Sequence, residues 1–272
     1  MPDIVVVDSI THLTEANRGA AVLAASHGGD YAGYFAAKMG VGAVVFSDAG
    51  IGLEAAGVAG LKLLEDLAVP AAAVACSSAR IGDGQDCLER GVISYANAQA
   101  AAHGLKPGQS AKEAMSRLES ANLKPAPAPA QIEEAKFVAE TVDGVNIVVL
   151  DSMSLVTPED IGHVVVGASH GGLLGGKPET AVKQDAFAVL VFDAGRDIDD
   201  AGIGRLAAFD ARGIAGGCVS VFSARIGDGR SMWETGVVAA INERAIALGA
   251  EIGQSAQSFA RLMARAAVSE RT

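Results

Sequence analysis

Along the chain, short unbroken apolar runs alternate with stretches in which apolar residues recur every three or four positions, and that alternation predicts strands and helices in turn. Residues 4–7 and 20–25 are apolar runs bounded by polar residues, as buried strands are. A helix over 31–39 closed by Gly40, a strand over 41–46, an amphipathic helix over 53–67 and a strand over 69–76, entered through Pro70, follow in order. The same periodicity predicts a longer helix over 87–103, ended by Gly104, and another over 111–120. The order β-β-α-β-α-β-α, with continuous rather than alternating strands, predicts an α/β fold around a mostly parallel sheet covered on both faces.

The pattern then recurs. Shifted by 145, residues 48–111 lie over 193–256 without a gap and with 25 identities in 64 positions; at a shift of 143, Asp8-Ser9 lies over Asp151-Ser152 and residues 25–29 over 168–172. The expectation is a tandem duplication: a first repeat over 1–111, a linker over 112–144 with a helical start and the Pro-Ala run 124–130, and a second repeat over 145–272. The two halves are expected to pack about a pseudo-twofold axis.

Composition narrows the function. Half of the 272 residues are hydrophobic, and a net charge of -11 without any basic stripe argues against nucleic acid or an anionic membrane as partner. No apolar stretch has the length of a membrane span, and the first residues carry no basic leader. Cys76, Cys87 and Cys218 are not matched between the copies, which suits buried free thiols in a reducing cytoplasm. So few charges on an Ala- and Gly-rich chain predict a homo-oligomer.

The duplication acts as a filter, because surface positions drift apart while constrained ones stay. The polar residues that survive in both copies fall after successive strands: Asp8 and Asp151, Ser26 and Ser169, His27 and His170, Asp48 and Asp193, Ser78 and Ser223, Arg80 and Arg225. Open α/β sheets bind ligands at that edge. His27 and His170 are the proton carriers this set offers, Asp48 and Asp193 their orienting or basic partners or helix caps, and Ser78 and Ser223 nucleophiles or oxyanion donors. The turns Ser26-His27-Gly28-Gly29 and Ser169-His170-Gly171-Gly172 offer backbone N–H groups to an anion. Arg80 and Arg225 fit a bidentate clamp on a carboxylate, or an ion pair with Asp83 and Asp228; Asp8 and Asp151 join the substrate-binding set. Residues 171–177 have P-loop spacing but Pro178 stands where a Ser or Thr belongs, and no dinucleotide fingerprint occurs. No cofactor is expected; a divalent ion among the histidines and aspartates is the lesser alternative.

The use of internal repeats is similar to that of ring-opening amidohydrolases of the cyanuric acid and barbiturate type. Those have three copies with a Ser-Lys pair in each, whereas no lysine is matched here, so no residue is carried across. The sequence thus points to a hydrolase of amide or cyclic amide type, or a related acid/base enzyme, for a small carboxylate- or amide-bearing metabolite. The alternatives are a non-catalytic small-anion binding protein and a phosphosugar isomerase-like enzyme.

Overall fold

The computed structural model describes residues 4–271; residues 1–3 and 272, the outer ends of the two predicted repeats, lie outside the described residues. Runs such as Ala21–His27 and Ala43–Ser47 carry no polar residue before their last two positions, so both faces of the strand must be covered, and the architecture supplies that cover. The first sheet has the order β1 (Ile4–Val7), β2 (Ala21–His27), β3 (Ala43–Ser47), β4 (Ala71–Val74), β5 (Ile93–Ala96). Its first four strands are parallel and β5 is antiparallel to β4. Helices α1 (Asp30–Lys38) and α2 (Gly60–Asp66) cover one face with Phe46, Leu61 and Leu64 in the core. On the other face lie α3 (Gly84–Arg90), α4 (Ala98–Ala102) and α5 (Ala111–Glu119), with Leu23, Ile93 and Met115 between helices and sheet.

The second sheet has six strands: β6 (Lys136–Val142), β7 (Val145–Leu150), β8 (Val164–His170), β9 (Ala188–Phe192), β10 (Ala215–Val219) and β11 (Val238–Ile241) in spatial order. Strands β7 to β10 are parallel, and β6 and β11 are antiparallel to their neighbours. Its helices are α6 (Arg205–Asp210), α7 (Gly229–Thr235), α8 (Glu243–Ala247) and α9 (Ala256–Arg271). Ala49, Ala56 and Ile81 from the first half are built into the same core cluster as Phe192, Val221 and Phe259, so the two sheets share packed side chains.

Three details depart from the sequence pattern. The stretch read as one helix over 87–103 holds β5, because Gly91 ends α3 and Ile93-Ser-Tyr-Ala pairs with β4; Ile93 is buried and Tyr95 exposed. Asn97 then caps α4 through Ala100 N–H, accepts from Ala71 N–H and donates to Val69 O; Asn242 repeats all three bonds with Ala245, Gly216 and Ile214. The helix expected over 53–67 starts only at Gly60, since Glu54 and Ala55 are left-handed (φ 53° and 56°) and Leu53 N–H is drawn to Val221 O of the other half at 2.7 Å. Finally β6 precedes Val145, joined to β7 by an Asp143-Gly144 turn with both residues left-handed, the geometry of a tight hairpin. Among the described residues no helix is long and apolar enough to cross a membrane.

Candidate functional site

Strands β2 and β8 end in Ser26-His27 and Ser169-His170, and both ends face the junction between the two sheets. Together they line one small pocket with Ser9, Ser152, Tyr31 and Glu134. His27 packs its Cε1 toward Gly227 of the second half, and His170 packs its Cε1 toward Gly82 of the first; a Cβ on either glycine would lie 3.3 or 3.4 Å from that carbon. Gly82 and Gly227, both at φ near +85°, are held in turn by Ala25 O and Ala168 O, the carbonyls just ahead of the Ser-His pairs. Each imidazole therefore sits between its own strand end and the opposite half's Ile-Gly-Asp-Gly loop.

Burial decides the charge of both rings. Desolvation lowers His27 to about 4, and it lowers His170 well below the ordinary histidine value, with the Arg205 guanidinium and His27 adding to the effect. At neutral pH both rings are uncharged. His27 Nδ1 accepts from Gly29 N–H at 3.2 Å, which assigns the ring proton to Nε2. Across the pocket, Glu134 hydrogen-bonds Tyr31 and Ser152; its carboxyl is pushed up by burial, and the Tyr31 phenol is raised to about 12 by burial and by that carboxylate.

The remaining matched residues tie loops in place. Asp48 accepts from Gly50 and Cys76 N–H (both 2.9 Å), and Asp193 accepts from Gly195 and Val221 N–H; neither carboxylate bonds a histidine. Ser78 donates to Ala75 O and accepts from Val92 N–H, while Ser223 does the same with Ser220 O and Val237 N–H. Asp8 and Asp151 accept from Gly84 and Gly229 N–H at the starts of α3 and α7, which Asp83 and Asp228 cap. Ser26 and Ser169 accept from Ile10 and Met153 N–H, leaving each hydroxyl proton to donate. Gly28 and Gly171 N–H go to Ser47 O and Phe192 O, so with Gly29 donating to His27 the expected anion cradle has three of its donors already in use.

The arginines reach across the junction instead of toward Asp83 and Asp228. Arg80 pairs with Asp199 at 2.8 Å, and Arg225 pairs with Glu54 at 3.3 Å and Asp30 at 3.8 Å. Beneath them the two Asp-Ala-Gly turns touch: a Cβ on Gly50 would lie 2.9 Å from Gly195 Cα, and the reverse holds too. Around that contact Ala49, Ile51, Glu54, Ala55, Ala194, Arg196, Asp199 and Asp200 all adopt positive φ. Such clustered strain in non-glycine residues persists only where packing on both sides fixes it.

A larger cavity of about 360 Å³ adjoins the histidine pocket and shares Ser9, Ser152, Ser169 and His170 with it. Its wall includes Arg205, whose place in the first half is taken by Gly60, and Lys183, which lies outside the two matched blocks. Matching the copies therefore missed both, as it missed Tyr31 and Glu134. Arg205 could have been found as the one charged residue opening the otherwise apolar start of α6. Among the described residues no group of three or more His, Cys, Asp or Glu side chains is placed to hold a metal ion. No protein-family model, curated protein or solved structure matches the chain.

Proposed function

We propose that the chain is a small-molecule enzyme, a hydrolase or related acid/base catalyst for a carboxylate- or amide-bearing metabolite, with its reacting centre between His27 and His170. The observation that carries this reading is the meeting of two strand-end histidines, one from each half, in a single pocket. Among the described residues no hydrogen bond engages His27 Nε2, and His170 Nδ1 is buried without a partner, so each ring keeps a nitrogen that no protein group occupies. His27 offers Nε2–H to a developing oxyanion, and Ser26 and Ser169 offer hydroxyl protons beside it. His170, kept unprotonated at neutral pH, is the proton acceptor. The same reading takes the halves as duplicated units about a pseudo-twofold axis through the Gly50–Gly195 contact. The reciprocal pairs Arg80–Asp199 and Arg225–Glu54 support it, as does the exchange of glycine loops across the two histidines.

The test is to incubate the protein with a pooled metabolite extract and follow depletion by mass spectrometry, beside His27→Gln and His170→Gln. A carboxylate or amide compound should be consumed by the native chain, about a hundredfold more slowly by His170→Gln and about tenfold more slowly by His27→Gln. The depression of both rings favours one second reading, a non-catalytic small-anion binding protein, because imidazoles held well below their ordinary value are weak bases at neutral pH. Compounds that raise the melting temperature and are never consumed would replace the enzyme by that reading.

A further inference from the structure

Arg205 is 5% exposed, yet among the described residues no carboxylate lies within ion-pair distance of it. Its Nε donates to Gly172 O at 3.2 Å and its Nη1 to Ala181 O at 2.9 Å; Nη2 has no protein partner. A buried cation without a counter-ion is costly, and in folded proteins such a charge is ordinarily matched. Burial pulls this arginine down to about 10, which still leaves it charged at neutral pH. The cavity it lines presents Lys183, two histidines and six hydroxyl side chains, and no Asp or Glu at all. That is a marked local departure in a chain of net charge -11. Lys183 is held by Ser154 O at 3.1 Å and by no carboxylate among the described residues, so its ammonium is free to turn toward a ligand.

The volume of about 360 Å³ lies at the low end of the range for small-molecule sites, large enough for a metabolite and too small for a peptide. The first half is packed at the corresponding place. There α1 lies directly on α2, where a Cβ on Gly33 would come within 2.6 Å of Gly60 O. In the second half the corresponding segment runs irregularly through residues 173–187, and Arg205 stands at the place of Gly60.

We infer that this cavity is an oxyanion-binding site, in which Arg205 Nη2 and Lys183 Nζ hold the carboxylate or phosphate of a small metabolite and Ser169 and His170 mark its boundary with the reacting centre. Only the last clause rests on the proposed function; the anion site itself stands on the missing counter-ion and is tested by binding alone. A bound anion answers the charge of Arg205 and relieves the repulsion that this arginine exerts on a protonated His170.

The probes are succinate and inorganic phosphate, each titrated calorimetrically and by thermal melting against sodium chloride at equal ionic strength. Saturable binding is expected to at least one, weakened about tenfold by Lys183→Gln and at least as much by Arg205→Lys, which keeps the charge but loses the planar fork. A preference for phosphate would mark a phosphorylated ligand, and a preference for succinate a carboxylate. If Arg205→Lys fails to fold, exposed Lys183 decides alone. The inference is overturned if neither probe binds saturably, or if binding is unchanged in the soluble variants. His27→Gln should retain anion binding, so a failed anion site and a failed reacting centre give different results.

Discussion

Where the first half lays α1 across α2, with Gly33 against Gly60, the second half runs an irregular segment through residues 173–187 and sets Arg205 in the place of Gly60. The strand ends of the two halves are otherwise built alike, down to the glycine that each lends to the other's histidine. The likeness serves architecture: Asp48 and Asp193, Ser78 and Ser223, Asp8 and Asp151 use their polar atoms on backbone groups of their own half. The unlikeness opens a cavity beside His170 and sets in its wall a buried cation that, among the described residues, no carboxylate answers. Features shared by the halves hold the pocket together, and features private to one half select what enters it.

The largest expected effect breaks the equivalence of the histidines. His170 lines both cavities whereas His27 lines only the smaller one, so His170→Gln should cost about a hundredfold in turnover and His27→Gln about tenfold; equal losses would mean that the anion cavity does not orient the substrate. Next, the likeness itself is tested where Gly50 meets Gly195. Gly50→Ala and Gly195→Ala each force a Cβ to 2.9 Å from the facing Cα at a left-handed position, and each should lower unfolding free energy by about 2 kcal/mol in denaturant titrations. A loss confined to one of them would show that the junction is held from one side.

Acid stability comes third. Both rings stand below the ordinary histidine value, so the folded chain keeps them neutral where the unfolded chain is already protonated. Their contribution is complete above about pH 6.5 and is lost as pH falls, for His27 toward about 4. Asp197, raised to about 7 by burial, has the opposite sign: the folded carboxyl holds a proton that the unfolded one releases near 3.8, so its contribution falls as pH climbs from about 4 to 7. Melting curves across this window should show a shallower acid loss in both His27→Gln and His170→Gln. The smallest effect belongs to the exposed pairs. Glu54→Gln and Asp199→Asn should shift melting little and alike, and not at all in high salt.

The shared scaffold was the legible part. Unbroken apolar runs located β1 to β4, and the matched Ser-His turns located the two histidines that the structure brings into one pocket. Elements set by pairing rather than by period were harder. Strand β5 hides behind helix-compatible residues until Gly91 and the Asn97 cap are seen acting together, and β6 lies inside the stretch 112–144 read as a linker. Matching the copies retained loop ties such as Ser78 and Asp48 as readily as chemistry, since both are constrained. It discarded Arg205 because Gly60 stands opposite it, and passed over Lys183 because that residue lies between the matched blocks.

The most direct test of the central claim follows the nitrogen resonances of the five histidine rings while succinate or phosphate is added. One pocket joined to a one-sided anion cavity predicts the largest shift at His170, a smaller one at His27, and none at exposed His103 or at His163, whose Nδ1 accepts from Asn146 N–H at 2.9 Å. A saturating anion that leaves His170 unmoved, or rings at 27 and 170 that titrate near 6.5 like free histidines, would contradict it.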